Sequence, residues 1–240
     1  MRFQGPREPR EPRGTREPRG TREPRGNAIR TEPITTARLT LLPLQVEHAA
    51  EMAAVLADPA LHTFIGGTPS TPEALRTRYE RLVAGSPDPA VSWHNWVLRL
   101  TGENRLAGTV QATLSGAEHA EIAWVVGTPW QGRGLASEAA RGLVRQLRRQ
   151  GVRTITAHVH PGHHASAAVA RAAGLSPTEE EQDGEIRWRL DTPPRRREDP
   201  SEEPRAQGPR TRPVPPGPSP GPPGVAPGRG TPPDGGPRSR

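Results

Sequence analysis

Proline placement limits this chain more than any other feature. Residues 1–33 hold 6 of the 31 prolines and residues 192–240 hold 16, while Ile34 to Asp191 hold only 9. Each proline removes a backbone donor and locks φ, so dense proline keeps a segment out of helix and sheet interiors. The chain has 26 glycines, 31% apolar residues and 3% aromatics, too little apolar matter to bury a core along 240 residues. One folded domain is therefore expected over 34–191, long enough for a compact core, between disordered tails at 1–33 and 192–240. A second globular domain is excluded.

Charge divides the same way. Each tail carries 9 arginines against 5 acidic residues, which leaves the middle near neutral although the whole chain is +7. The basic balance belongs to the tails, so nucleic acid is an expected partner only through them. The N-terminal tail repeats the hexad Glu11-Pro-Arg-Gly-Thr-Arg16, a unit too short for a solenoid. It reads either as a plain leader or as an arginine-rich arm for an acidic partner. The proline- and glycine-rich C-terminal tail reads as an extended spacer. The chain has no cysteine, which excludes disulfides, thiolate metal sites and a cysteine nucleophile. No apolar run approaches a membrane span, and the N-terminus lacks the apolar stretch of a secretory signal, so the cytoplasm is the expected compartment.

Within 34–191 the hydrophobic period alternates. Arg38 to Leu42 reads as a strand, and Val46, Ala49, Ala50, Ala53 and Leu56 form a helical stripe that stops before Asp58-Pro59. Thr71-Pro72-Glu73 opens a second helix that ends near Gly85. Strands are expected at Trp96 to Leu100, Leu106 to Leu114 and Glu118 to Val126, then a long amphipathic helix from Gly134 to Gln150. A buried strand at Thr154 to Val159, a helix at Ser166 to Ala173 and a hairpin about Gly184 complete the domain. The order β-α-α-β-β-β-α-β-α-β-β predicts an α/β fold with a mixed sheet.

The chemistry concentrates in Glu121-Ile-Ala-Trp-Val-Val-Gly-Thr-Pro-Trp-Gln-Gly-Arg-Gly-Leu-Ala-Ser-Glu138, a buried strand, a turn and a glycine-rich loop at a helix N-terminus. Unpaired N–H groups and the helix dipole favour an anion there, and Arg133 adds a cation. The glycine spacing matches neither a Walker A loop nor the dinucleotide fingerprint. From the residues alone, the loop is a diphosphate site or only a tight turn.

Gln131-Gly-Arg-Gly-Leu-Ala136 resembles the Gln/Arg-x-x-Gly-x-Gly/Ala signature of the GCN5-related N-acetyltransferases, the GNAT superfamily. His163-His-Ala-Ser166 with Gly174-Leu175 looks like that family's next segment, and Glu-Ile-x-Trp-Val looks closest to its RimJ/RimL branch. The resemblance covers Thr36 to Leu190. It implies a mostly antiparallel central sheet with a V-shaped splay, acetyl-CoA as co-substrate, and a primary amine as acceptor, either a small molecule or a protein N-terminus. It further implies that Gln131, Gly132, Arg133, Gly134, Leu135, Ala136 and Ser137 hold the diphosphate. Val125 and Val126 would pair with the pantetheine arm, and His163 stands where the family has a CoA-contacting Asn.

The catalytic residues it implies are Glu121 as base and Ser166 as hydrogen-bond donor to the leaving thiolate. A partly buried carboxylate at Glu121 would have a raised pKa suited to taking a proton through water. The alternative is that Glu121 pairs with an arginine across the sheet. The tyrosine many relatives use as acid is Ala170 here, and the only tyrosine, Tyr79, lies in the second helix. That departure keeps open a CoA- or protein-binding module without turnover. The cluster His158, His160, His163 and His164 invites a metal, but it overlaps the implied CoA segment and no carboxylate is spaced to complete a site, so no metal is expected.

Overall fold

Backbone pairing organises the domain into one sheet, and the computed structural model describes residues 29–192 of the chain. The tails expected to be disordered lie, at residues 1–28 and 193–240, outside the described residues. In chain order the strands are β1 Ile34–Thr35, β2 Leu39–Pro43, β3 Val91–Leu100, β4 Leu106–Ser115, β5 His119–Val126, β6 Thr154–Val159, β7 Ser176–Gln182 and β8 Glu185–Asp191. The helices are α1 Ala49–Val55, α2 Pro59–Ile65, α3 Pro72–Ala84, α4 Leu135–Arg149 and α5 His164–Ala172. The sheet order is β1-β2-β3-β4-β5-β6-β8-β7, antiparallel throughout except for the parallel pair β5–β6. This is the mixed, mostly antiparallel α/β architecture expected from the sequence.

Local chemistry accounts for most element ends. Thr71 caps α3 by accepting from the Ala74 N–H, with Pro72 opening the helix and Gly85 following its last turn. Asp183 and Gly184 both take positive φ between β7 and β8, the geometry that joins two strands by a tight turn. The stripe Leu135, Ala139, Leu143, Val144 and Leu147 buries α4, and Trp96, Ile122 and Ile155 meet in the same core.

Several parts of the chain depart from the sequence reading: the short strand β1 is not among the expected elements, and β3 starts at Val91 rather than Trp96. Asp58-Pro59 ends α1 as expected but also starts α2, because Asp58 accepts from the Ala60 N–H and Pro59 takes the first helical position. Residues 29–33, which the proline count groups with the tail, pack onto the domain. The Trp96 indole donates to the Glu32 carbonyl at 2.8 Å, and Arg30 exchanges backbone hydrogen bonds with the Gln150 amide. Residues upstream of Ile34 as far as Ile29 therefore pack on the domain, through long-range contacts that leave no periodic trace.

The same segment encloses His94. Thr31 Oγ1 lies 2.7 Å from its Nδ1 and Ser92 Oγ 3.0 Å from its Nε2, with the ring buried. Burial holds His94, and likewise His48 and His163, below the ordinary histidine value of 6.5. The unfolded chain therefore binds more protons, so this stability is fully present above pH 6.5 and is lost as pH falls toward the lowered values. Thermal melts should show Tm falling on acidification from about pH 7 to about pH 5, and His94→Gln should flatten the slope. A level Tm across that window would contradict the assignment.

Candidate functional site

The parallel pairing of β5 with β6 is short. It runs from His119↔Thr154 to Glu121↔Thr156 and stops, although β5 continues to Val126 and β6 to Val159. Beyond that register the strands splay, leaving the β6-facing edge of β5 without a strand partner among the described residues. A glycine makes the end of β5 possible. A Cβ on Gly108, opposite Val126, would stand 2.2 Å from the Val125 carbonyl oxygen. Gly108→Ala must therefore push back the Val125–Val126 backbone, and we expect a loss of about 1–3 kcal/mol in denaturant unfolding. A neutral result would mean that β5 yields freely at this point.

A cleft of about 440 Å³ lies at the splay. Val125 and Val126 form its strand wall, while Gln131, Gly132, Gly134, Leu135, Ala136 and Ser137 form its end. His163 and Ser166 of the α5 start, and Leu61 and Phe64 of α2, complete it. Of the residues the sequence assigns to the cofactor, only Arg133 is absent from the lining. Its side chain is half-exposed and pairs with Glu103 at 3.6 Å. The Gln131 amide donates to the Val126 carbonyl at 3.0 Å, tying the strand end to the loop.

The loop turns on Gly132 and Gly134, both at positive φ, and a Cβ on Gly132 would meet nothing within 4 Å. Among the described residues, the N–H groups from Gly132 to Ser137 have no backbone acceptor. An open concavity of unpaired donors at a helix N-terminus fits a diphosphate. The indole N–H of Trp124, another lining residue, is buried without a hydrogen-bond partner. The residues present therefore fit the CoA that the fold family implies.

A latch that sequence reasoning missed holds this loop. Glu138 in the first turn of α4 accepts from the Thr36 hydroxyl at 2.6 Å and from the Arg38 amide and Nε at 2.7 Å each. Burial pushes the Glu138 carboxyl up, but these donors outweigh it and hold it below the ordinary carboxylate range. Arg38 also donates to the Arg133 carbonyl at 2.9 Å, so β2 and the loop share one guanidinium. Its only sequence signal was a charged residue opening an apolar strand.

The two expected catalytic residues are placed differently. Ser166 is buried in the cleft wall, and no hydrogen-bond partner holds its hydroxyl among the described residues. Glu121 lies outside the lining, at the last paired register before the strands part, with its side chain 53% exposed. There Oε1 accepts from His158 Nδ1 at 3.0 Å. Arg187 Nε faces His158 Nε2 at 3.4 Å and its guanidinium also pairs with Glu180, so the geometry leaves the imidazole proton on Nδ1. His158 thus stands between the Glu121 carboxylate and the Arg187 guanidinium across the sheet. Glu121 and His158 bridge the opening of the V.

The other histidines are separate. His163 stacks on Phe64 with ring centroids 4.0 Å apart, and His160 receives the Gly162 N–H on Nδ1 at 3.0 Å. Among the described residues, no group of three or more His, Cys, Asp or Glu side chains could hold a metal ion. Ala170 is fully buried, so the position expected for a phenolic acid is core. Among the described residues, no helix is long and apolar enough to cross a membrane.

A family model described as an acetyltransferase (GNAT) domain matches residues 38–176. No curated protein matches the sequence. Among solved structures, a GNAT-family acetyltransferase from Bacillus anthracis is 20% identical, covering 66% of this chain and 98% of its own, with a TM-score of 0.56. A Salmonella typhimurium acetyltransferase that modifies the N-terminal serine of ribosomal protein L7/L12 is 16% identical, covering 67% and 99%, with a TM-score of 0.56. RimL, a ribosomal L7/L12 α-N-protein acetyltransferase solved with coenzyme A, is 18% identical, covering 67% and 98%, with a TM-score of 0.55. At these identities the likeness is one of fold.

Proposed function

The chain belongs to the GNAT acetyltransferase family, and on that premise we propose that it transfers the acetyl group of acetyl-CoA to a primary amine by direct attack in a ternary complex. The observation that carries this reading is the splay of β5 from β6 beside the open donor loop of α4. Acetyl-CoA supplies a thioester carbonyl that an amine can attack, and the protein's work is to hold it, aim it and move protons.

The N–H groups from Gly132 to Ser137 hold the diphosphate, and the unpaired edge at Val125 and Val126 aligns the pantetheine arm. His163 and Phe64 cover the cleft where CoA passes α5. The amine approaches the V from the side of Glu121, which takes its proton directly or through water, with His158 orienting the carboxylate. The nitrogen lone pair forms the C–N bond, the C–S bond breaks, the remaining excess nitrogen proton passes through solvent to the thiolate, and the Ser166 hydroxyl donates a hydrogen bond to that departing sulfur. A chain without cysteine offers no thiol for an acetyl-enzyme, in keeping with direct transfer.

Two solved proteins of this fold act on a ribosomal-protein N-terminus, which supports including peptide N-termini among the acceptors. The test is release of free CoA thiol from acetyl-CoA, measured against a panel of peptides and small amines. Protein thiols cannot interfere, because the chain has none. Thiol release that depends on one acceptor class supports the proposal and names the substrate. Tight acetyl-CoA binding without release on any amine would favour a binding module.

A further inference from the structure

One face of the sheet gathers polar side chains that the transfer reaction does not use. Pairing across β3, β4 and β5 sets Trp93, Thr113 and Glu121 in one row and Asn95, Gln111 and Ala123 in the next. Opposed residues point to the same face, and so do residues two apart along a strand. Both rows therefore share the face on which Glu121 meets His158, whereas Trp124, of opposite parity on β5, lines the cofactor cleft. Asn95 is buried at 9% exposure, yet among the described residues its side-chain amide forms no hydrogen bond, and neither does that of Gln111. The Trp93 indole N–H is likewise buried without a hydrogen-bond partner. Buried polar groups are costly to leave unpaired, so three on one face call for a ligand that completes them. Gln111 and Ala123 stay partly exposed, which opens the second row to solvent beside the V.

The second row meets the splay where β5 has just left β6. With strands about 4.8 Å apart, Gln111 lies about 5 Å and Asn95 about 10 Å from the strand that borders the V. An extended peptide advances about 3.3 Å per residue, so an acceptor whose amine reaches Glu121 carries its first peptide groups over these two side chains. A side-chain amide offers an acceptor oxygen and N–H donors, the complement of the one acceptor and one donor in a peptide unit. It does not suit a polyamine, whose ammonium groups each call for a carboxylate. In these two rows Glu121 is the one carboxylate, and Glu180 and Asp191 beyond them are held by Arg187 and Arg189. We propose that Asn95 and Gln111, with Trp93, select the acceptor by taking the neutral amide groups that follow its amine. The proposal rests on the acetyl-transfer reading of the site and adds to it the residues that discriminate among amines.

The test measures thiol release by the full chain with alanine amide and with trialanine amide, acceptors that share an α-amine and differ in the number of amide groups. Wild type should show kcat/KM about tenfold higher on trialanine amide, mostly through KM, because such contacts bind substrate and transition state alike. Asn95→Leu nearly keeps the side-chain volume but removes the amide, and it should cut that gain to about twofold or less. Its Tm should hold or rise, since a buried unpaired amide is gone, and its acetyl-CoA-induced Tm shift should match wild type. Gln111→Ala, at a partly exposed position, should lower the same gain without depending on how the core repacks. Equal kcat/KM on the two amides in wild type would overturn the proposal while leaving acetyl transfer standing. So would an undiminished gain in both variants, or a higher kcat/KM on spermidine than on trialanine amide. No release on any acceptor would overturn the acetyl-transfer reading itself, and this proposal with it.

Discussion

Glu121→Gln should lower acetyl transfer by about 10²–10⁴-fold while leaving acetyl-CoA binding unchanged, the contribution expected of a positioned base. Glutamine keeps the shape of the side chain, and its carbonyl can still accept from His158 Nδ1, so the bridge across the V survives. What disappears is basicity. In the proposed reading the cofactor is held by the loop donors that have no backbone acceptor, not by Glu121, so a thermal shift with acetyl-CoA should match wild type. Raising the pH should recover part of the lost rate, because more of the amine then arrives deprotonated. Undiminished turnover would make Glu121 a structural partner of His158 and move the proton to another group such as His160.

Gly134→Asp should abolish the Tm increase that acetyl-CoA gives the wild-type protein, a shift that reaches about 2.7 kcal/mol of stabilisation at a hundredfold excess over Kd. Gly134 sits at φ +74 at the N-terminus of α4, and aspartate is among the few residues that tolerate this region. The ligand-free melt should therefore change little, while a carboxylate is added beside the loop proposed to hold the diphosphate. Gly134→Asn, similar in shape and uncharged, should keep part of the shift. An unaltered response in the aspartate variant would place the cofactor elsewhere.

Much of this site could be read from the chain because it is local in sequence. A strand, a turn with two positive-φ glycines and an amphipathic helix occupy Glu121 to Arg149 without interruption, and unpaired N–H groups at a helix start follow from backbone geometry alone. The α3 cap at Thr71-Pro72 and the turn at Gly184 were legible for the same reason. Helix α2 was not: Asp58-Pro59 is a stop signal and a start signal together, and seven residues carry too little periodicity to decide.

The sequence by itself determined where a core could form, that no thiol chemistry is available, and which glycine-rich loop opens the long helix with unpaired N–H groups. These depend on residue type and on spacings of a few positions. Only the tertiary structure decided that β5 leaves β6 after Glu121, that Glu138 is latched by Thr36 and Arg38, and that Glu121 answers to His158. It also tied Arg30 to Gln150 at the end of α4. Each of those facts joins residues tens of positions apart, and hydrogen bonds across such separations are set by how the sheet twists and stacks. Their donors and acceptors leave no period in the sequence, and so they become visible only once the chain has folded.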